Sequence, residues 1–226
     1  MRHSSRLDRR QAIKAAAIGA MLALAVAAWP ALAQSPKGPA EVPVDELMKT
    51  SDLPDLVLGP ENAKVTIVEY ASMTCGHCQH FHEATYPELK KKYIDTGKVR
   101  FVFREFPLDD RAFAASMLGR CAGSPEKSLA LIAALFDTQK NWAFIKENPT
   151  PKLFEIAKQA GFTQESFNKC LTDQKLLDQL TAIQDKASDT FGVRATPTFF
   201  INGKRLMEAP TIESFDKVLE PLLAQG

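Results

Sequence analysis

The hydrophobic pattern becomes regular from residue 65 onward. Residues 65–70 are mostly β-branched and apolar, which is typical of a buried strand. A helix is predicted from about 75 to 95, and residues 98–106 form a second predicted strand. Pro87 lies inside this helix, and because proline lacks an N–H and clashes with the preceding turn, we expect a kink there. A strand, a crossover helix and a strand in this order predict a parallel βαβ pair.

A long stretch without strand signals follows this pair. Amphipathic patterns with Gly and Pro punctuation predict five helices, at 112–121, 126–137, 151–160, 164–171 and 174–190. Since no strand interrupts them, we expect an all-helical insertion at about 110–191 that packs on the sheet.

Strand character returns after the helical block. Residues 198–201 are apolar and β-branched, and Asn202-Gly203 is a strong hairpin signal that places a return strand at 205–208. Thr211 is suited to cap a last helix that runs to about Leu223. The predicted fold class is therefore α/β, with a βαβ unit and a ββα unit separated by the helical insertion.

The first 33 residues have the layout of a secretory signal. A basic segment up to Lys14 precedes an uncharged apolar run, and Ala31-Leu32-Ala33 supplies a small-x-small cleavage site. The alternative is an uncleaved membrane anchor, since residues 15–33 carry no charge, but an alanine-rich run inserts weakly. We expect a cleaved signal peptide at 1–33 and a periplasmic destination, and Arg9-Arg10 resembles the start of a twin-arginine signal.

The next stretch, residues 34–60, contains five prolines and no sustained periodicity. This composition predicts a linker with a short lead-in element around 44–48, followed by the main domain at 61–226. 

The charge balance bears on the class of partner. The chain has 28 basic and 27 acidic residues, a formal net charge of +1. The first 33 residues hold five of the basic residues and one of the acids, so the remainder has 23 basic and 26 acidic residues, a net charge near −3. Such a surface gives no reason to expect nucleic acid as a partner.

Two of the four cysteines form the motif Cys75-Gly76-His77-Cys78, directly after a predicted strand and at the start of a predicted helix. In an exported protein, cysteines this close indicate redox chemistry or metal binding. Cys75 falls at the helix N-terminus, where unpaired N–H groups and the macrodipole stabilise a thiolate, and Cys78 lies one turn deeper. We therefore assign Cys75 as the nucleophile and Cys78 as the resolving thiol.

One histidine lies within this motif and two follow it closely. A donor or positive charge at His77 is expected to lower the pKa of Cys75; the alternative is a solvated turn histidine. His80 and His82 are expected on exposed helix faces, and we assign them no role.

A wider set of residues connects the motif to a known family. The run Val68-Glu69-Tyr70-Ala71-Ser72-Met73-Thr74-Cys75-Gly76-His77-Cys78, the helical block, and Thr196-Pro197 before Thr198-Phe199-Phe200 together resemble the DsbA family of disulfide oxidoreductases. The resemblance extends over about residues 65–223 and implies a thioredoxin-like fold with a helical insertion.

The resemblance also implies site residues. Pro197 would be cis, which sets the backbone of Thr196 beside Cys75, where it can pair with a substrate strand. Glu69 would be a buried acid that assists proton transfer to and from Cys78. The alternatives are a trans proline that opens a strand and an exposed glutamate on an edge strand. Gly76 departs from family members with proline at this position and resembles isomerase-type motifs, which leaves the redox potential open.

The second cysteine pair, Cys121 and Cys170, falls near the ends of two predicted helices. In an oxidising compartment we expect these cysteines to form a structural disulfide. The alternative is two buried free thiols too far apart to bond.

The sequence therefore predicts an exported thiol–disulfide oxidoreductase that introduces disulfides into newly exported, unfolded proteins, without a cofactor or metal. The resemblance implies a membrane quinone-coupled thiol oxidase as the partner that reoxidises it. An isomerase or reductase of the same fold is an alternative, but residues 34–60 are too short for the dimerisation domain usual in isomerases, and we expect a monomer. A Cys/His module that binds copper or zinc is the alternative from another class.

Overall fold

The computed structural model describes residues 38–49 and 51–225. The predicted signal peptide at 1–33 lies outside the described residues. Across the described part of the chain, none of the helices has the length and hydropathy needed to cross a bilayer.

A five-stranded mixed sheet forms the centre of the described chain. Its strands are β1 Leu56–Leu58, β2 Val65–Ala71, β3 Val99–Glu105, β4 Thr198–Ile201 and β5 Lys204–Arg205. Their order across the sheet is β1-β3-β2-β4-β5. β2 and β3 pair in parallel, which confirms the predicted βαβ unit, and the other neighbouring strands pair antiparallel.

The central strand β2 separates two hydrophobic clusters. Successive side chains of a strand alternate between the faces of the sheet, so Ile67, Glu69 and Ala71 share one face. Ile67 and Ala71 belong to the larger cluster, whereas Val68 and Tyr70 belong to the smaller one on the other face. Glu69 is therefore a carboxylate within the larger core, not an exposed residue of an edge strand.

The helix after β2 changes its winding along its length. It consists of α2 Gly76–His80, a π-helical segment Phe81–Thr85, α3 Tyr86–Leu89 and a second π-helical segment Lys90–Ile94. Pro87 lies in the first turn of α3. The first π segment lies directly before it, and there the Tyr86 N–H donates to the Phe81 carbonyl. This wider turn accommodates a residue that has no N–H of its own.

The helical block has the predicted number of helices. They are α4 Asp110–Arg120, α5 Pro125–Asp137, α6 Thr150–Gln159, α7 Gln164–Leu171 and α8 Gln174–Phe191, with a 3₁₀ turn at Gln139–Asn141. Four of the starts are capped by a side chain that accepts from a backbone N–H three residues later: Asp109, Ser124, Thr163 and Asp173. Each predicted boundary is confirmed to within two residues.

The hairpin is present, but its return strand is shorter than predicted. Asn202 and Gly203 have φ values of 46° and 82°, the left-handed conformation that a tight hairpin turn requires. The predicted strand at 205–208 is wrong in extent, because β5 ends at Arg205. The Leu206 N–H still donates to the Phe199 carbonyl. Beyond it the chain turns away to reach Thr211, which caps the last helix, α9 Ile212–Ala224, as predicted.

The predicted linker contains two elements. The lead-in expected around 44–48 is the short helix α1 Val44–Leu47. β1 has no counterpart in the sequence prediction, because three residues are too few to show a period. Arg104 of β3 contacts the chain beside each element: it donates to the carbonyl of Leu47 in α1 at 2.7 Å and to the carboxylate of Asp55, which precedes β1, also at 2.7 Å.

Candidate active site

A short turn carries the chain from the end of β2 to the first cysteine. The Cys75 N–H donates to the Ser72 carbonyl at 3.1 Å. The buried Ser72 hydroxyl accepts from the Leu108 N–H at 3.3 Å, and the Thr74 hydroxyl donates to the Asp109 carboxylate at 2.7 Å. Asp109 also caps α4, so the turn before the cysteine is connected directly to the start of the helical insertion.

Cys75 is the N-cap residue of α2, as predicted. A hydrogen bond from Cys78 is the largest cause that lowers the pKa of Cys75 from 9.0 to about 5, although partial burial opposes it. The Thr196 side chain and the backbone N–H groups of Cys78 and His77 lower the pKa further. The Thr196 hydroxyl is buried and has no hydrogen-bond partner among the described residues, which leaves its donor capacity unused. These donors favour the thiolate at position 75.

Cys78 lies in the first turn of α2 and is fully buried. Burial is the main cause that raises the pKa of Cys78 well above 9.0, and Cys75 and the charge of Glu69 raise it further. Both cysteines are free thiols in this structure. One sulfur of the pair therefore favours the charged form and the other the neutral form.

The three histidines differ in their surroundings. His77 and His80 are exposed, and His77 contributes its backbone N–H to the thiolate. The prediction for His82 is wrong: its side chain is only 9% exposed. Its Nε2 lies 3.1 and 3.0 Å from the two carboxylate oxygens of Glu69. The available signal was its spacing, because a residue four positions after a buried Cys78 lies on the same helix face.

Thr196 and Pro197 lie next to Cys75. The peptide bond between them is cis, as the resemblance implies. The Cys75 thiol lies 3.2 Å from the Thr196 carbonyl and can donate to it. Immediately after the proline, Thr198 begins β4 and pairs with Tyr70 of β2. Because β4 pairs with β2, Thr196 and Cys75 lie at one site although they are about 120 positions apart in the sequence.

Gln139 is a site residue that the sequence did not indicate. It lies in the 3₁₀ turn of the helical insertion and is 1% exposed. Its side-chain N–H₂ donates to the Met73 carbonyl at 2.8 Å and to the Cys75 carbonyl at 3.0 Å. Because these contacts join residues more than 60 positions apart, no local pattern could have revealed them.

The second cysteine pair lies within the helical insertion. Cys121 at the end of α4 and Cys170 in α7 are joined by a disulfide, with Cα atoms 6.1 Å apart. It connects two helices of the insertion across 49 positions of sequence. Within residues 38–49 and 51–225, no group of three or more His, Cys, Asp and Glu side chains is arranged to hold a metal ion.

Comparison with known sequences gives a consistent set of relatives. A family model described as Thioredoxin matches residues 51–221. A relative from Rickettsia bellii, named as a protein-disulfide oxidoreductase, is 36% identical over 149 residues, which cover 66% of this chain and 57% of the relative. A relative of the same name from Rickettsia felis is 35% identical over 170 residues, 75% of this chain and 60% of that one. The chain thus spans about three fifths of the length of these curated relatives.

Comparison with solved structures gives a fuller overlap. The crystal structure of α-DsbA1 from Wolbachia pipientis superposes with a TM-score of 0.75 at 31% identity, over 81% of this chain and 97% of that chain. BdbD from Bacillus subtilis superposes with a TM-score of 0.69 at 22% identity, over 84% of this chain and 99% of that one. At 22% identity, the similarity to BdbD shows a shared fold and nothing further.

Proposed function

Because the chain belongs to the thioredoxin family and shares the fold of the DsbA proteins, we propose that it oxidises the thiols of exported proteins through Cys75 and Cys78. The relatives' name, protein-disulfide oxidoreductase, supports this class of reaction. The observation that carries the proposal is the opposite perturbation of the two thiols: the pKa of Cys75 is lowered to about 5 and that of Cys78 is raised.

The reaction follows from this asymmetry. In the oxidised protein, a substrate thiolate attacks the Cys75 sulfur, and the bond to Cys78 breaks with its electron pair on Cys78. The buried Cys78 thiolate then takes up a proton, as its raised pKa requires. A second substrate thiolate attacks the substrate sulfur of the mixed disulfide and releases Cys75 as a stable thiolate. The substrate dithiol is oxidised to a disulfide and the protein is reduced by two electrons.

The cis-proline loop is the proposed docking site for the substrate. Thr196 lies beside the Cys75 sulfur, and an extended substrate segment can pair with its backbone as an added strand. Such pairing positions a cysteine by main-chain contacts, which suits unfolded proteins of varied sequence as substrates.

The cellular role is proposed from the sequence. The signal-like segment at 1–33 supports export to the periplasm, and the resemblance to DsbA supports reoxidation by a membrane quinone-coupled thiol oxidase. We propose that the protein acts as a monomer.

The direct test is oxidative refolding of a reduced substrate protein with catalytic amounts of this protein and a small-molecule oxidant. Cys75→Ser is expected to abolish catalysis, whereas Cys78→Ser is expected to accumulate mixed disulfides with the substrate, visible by non-reducing electrophoresis. The double variant Cys121→Ala/Cys170→Ala is the matched control and should keep the activity. Full activity in Cys75→Ser would contradict the assignment. Catalysed repair of a scrambled substrate, with slow net oxidation, would point to an isomerase instead.

A further inference from the structure

The buried thiol Cys78 poses a problem of proton access. In each turnover it gains a proton when the active disulfide is reduced and loses one when the disulfide forms again. Cys78 and Glu69 are both 0% exposed. A carboxylate that exchanges protons with Cys78 must therefore itself exchange protons with solvent through a further group.

His82 has the position that this exchange requires. It lies four residues after Cys78 on the same helix, so the two side chains follow one another along one face. Its Nε2 is within hydrogen-bond distance of both Glu69 oxygens, at 3.1 and 3.0 Å. The imidazole stacks on Phe136 of α5, with ring centroids 4.3 Å apart and an interplanar angle of 13°. The ring is therefore fixed between the helical insertion and the carboxylate.

His82 also lines a cavity of about 330 Å³. Ala130 and Ala133 of α5 line this cavity and are exposed, and the Lys90 side chain on its wall is 40% exposed. Water can therefore enter the cavity. The remaining lining residues are Leu58, Tyr86, Phe101, Phe103, Leu129 and Ile132.

We infer that His82 conducts protons between the Glu69 carboxylate and water in this cavity, and so connects Cys78 to solvent. The inference rests on the proposed function and extends it to a residue that acts through Glu69. His82 is thus a positioning residue: it acts on the proton of Cys78 only through Glu69. An imidazole suits this task because it takes up a proton on one nitrogen and releases one from the other.

The proton balance can be written for formation of the active disulfide. The reduced protein and oxidised glutathione first form a mixed disulfide at Cys75, and one glutathione thiolate leaves. Cys78 then transfers its proton to Glu69, His82 takes a proton from Glu69, and a proton passes to cavity water. The Cys78 thiolate attacks the Cys75 sulfur, and the second glutathione leaves as a thiolate. Two electrons pass from the protein to glutathione.

Few other titratable groups face His82. Glu69 approaches it from β2, and Cys78 and Tyr86 precede and follow it on its own helix, with the Tyr86 ring 5.0 Å away. Lys90 lines the same cavity and is paired with Asp95. The residues that β1, β3 and α5 place on the cavity wall are apolar. A proton on Glu69 therefore has one adjacent imidazole through which it can leave toward the cavity.

The test measures the decay of the mixed disulfide in single turnover. Reduced full-length protein is mixed with oxidised glutathione, quenched in acid at set times, and the glutathionylated form is quantified by mass spectrometry. The variants are His82→Ala and His82→Gln, and His80→Ala is the matched control, since His80 is exposed on the same helix. The His82 variants should slow the decay about tenfold or more. This effect is smaller than the roughly 10²–10⁴-fold that a direct general acid or base contributes to a rate. Added imidazole should restore the rate of His82→Ala in proportion to its concentration.

His82→Gln separates proton conduction from support of the fold. It keeps a donor for Glu69 but cannot relay a proton. A normal decay rate in folded His82→Gln, or slow decay in His82→Ala that imidazole leaves unchanged, would overturn the inference. Formation of the mixed disulfide depends on Cys75 and should keep its rate in every variant. If the unsubstituted protein forms no mixed disulfide, the proposed function fails instead, so the two failures are distinguishable.

Discussion

The Cys75 thiolate should make the stability of the reduced protein depend on pH in a defined way. The perturbation is Cys75→Ser, which replaces the titrating thiol by a hydroxyl of similar shape. The pKa of Cys75 is about 5 in the folded protein, and the ordinary value is 9.0. Because the folded value is the lower one, the thiolate stabilises the folded state fully above pH 9, and this contribution is lost as the pH falls through 5.

The size of the effect follows from these two values. At pH 7 the thiolate contributes about 2.7 kcal/mol, and at pH 5 about 0.4 kcal/mol, with a slope near 1.4 kcal/mol per pH unit between them. Solvent reaches this sulfur in part and screens its charge, so these figures are upper limits. The Cys78 thiol remains protonated over this range because its pKa is raised, and it adds no slope of its own.

The assay is urea unfolding of both reduced proteins between pH 5 and pH 8. Subtracting the free energy of unfolding of Cys75→Ser from that of the unsubstituted protein cancels the other titrating groups. The difference should fall with decreasing pH, with most of the change between pH 8 and pH 5. A difference that stays constant over this range would refute the thiolate at position 75. The same 2.7 kcal/mol stabilises the reduced form and would make the disulfide about 60 mV more oxidising at pH 7.

Three further predictions concern His77, the second cysteine pair and Gln139. We expect the His77 imidazole to add to the backbone N–H that serine would keep, so His77→Ser should raise the pKa of Cys75 and lower the reduction potential by about 30 mV per pKa unit. Ultraviolet titration and glutathione equilibration measure the two separately, and a potential that falls at constant pKa would contradict an electrostatic role. Cys121→Ala/Cys170→Ala should destabilise the protein by about 4 kcal/mol on the chain-entropy model for a 49-residue loop, and chemical denaturation with no such loss would count against a structural role. Gln139→Met should cost about 1–3 kcal/mol in the free energy of unfolding, because the Met73 and Cys75 carbonyls lose the Gln139 donor, and the Cys75 carbonyl keeps the Gln79 N–H. Unchanged stability in Gln139→Met would show that this link is not needed to hold the turn.

The parts of the fold that the sequence predicted are those with local causes. Four of the five insertion helices begin at a side-chain cap, and α5 to α8 have an amphipathic period within their own residues; α4 was predicted to be amphipathic but is not, because residues buried in it fall on all sides of the helix. The hairpin has Asn202 and Gly203 at its turn. β1 lacks such a signal, because its three residues form a strand only by pairing with β3, where Leu56 lies opposite Phe103. The shortened β5 has a similar origin: the Arg205 N–H donates to the Ala40 carbonyl of the lead-in chain, a partner that the hairpin motif does not specify.

The residues of the site also differ in whether their roles have local or distant causes. Cys75 and Cys78 could be ranked as nucleophile and resolving thiol because helix geometry alone separates an N-cap position from one a turn deeper. Glu69 and His82 each look ordinary in the sequence, a strand glutamate and a helix histidine. Their pairing depends on the β2 face that meets the helix and on Phe136, which the insertion supplies.

The helical insertion therefore bears on the chemistry as well as on the fold. It contributes Gln139, which holds the carbonyl of the nucleophile, and Asp109, which holds the turn before it through Thr74. It also contributes Phe136, against which the histidine beside the buried acid is stacked. A βαβ–ββα core alone would leave the Cys75 carbonyl without this donor and one face of His82 uncovered. The surroundings that set the two thiols apart are consequently built from both parts of the chain, and substitutions at Gln139, Asp109 or Phe136 should alter the redox behaviour of cysteines that the insertion does not contain.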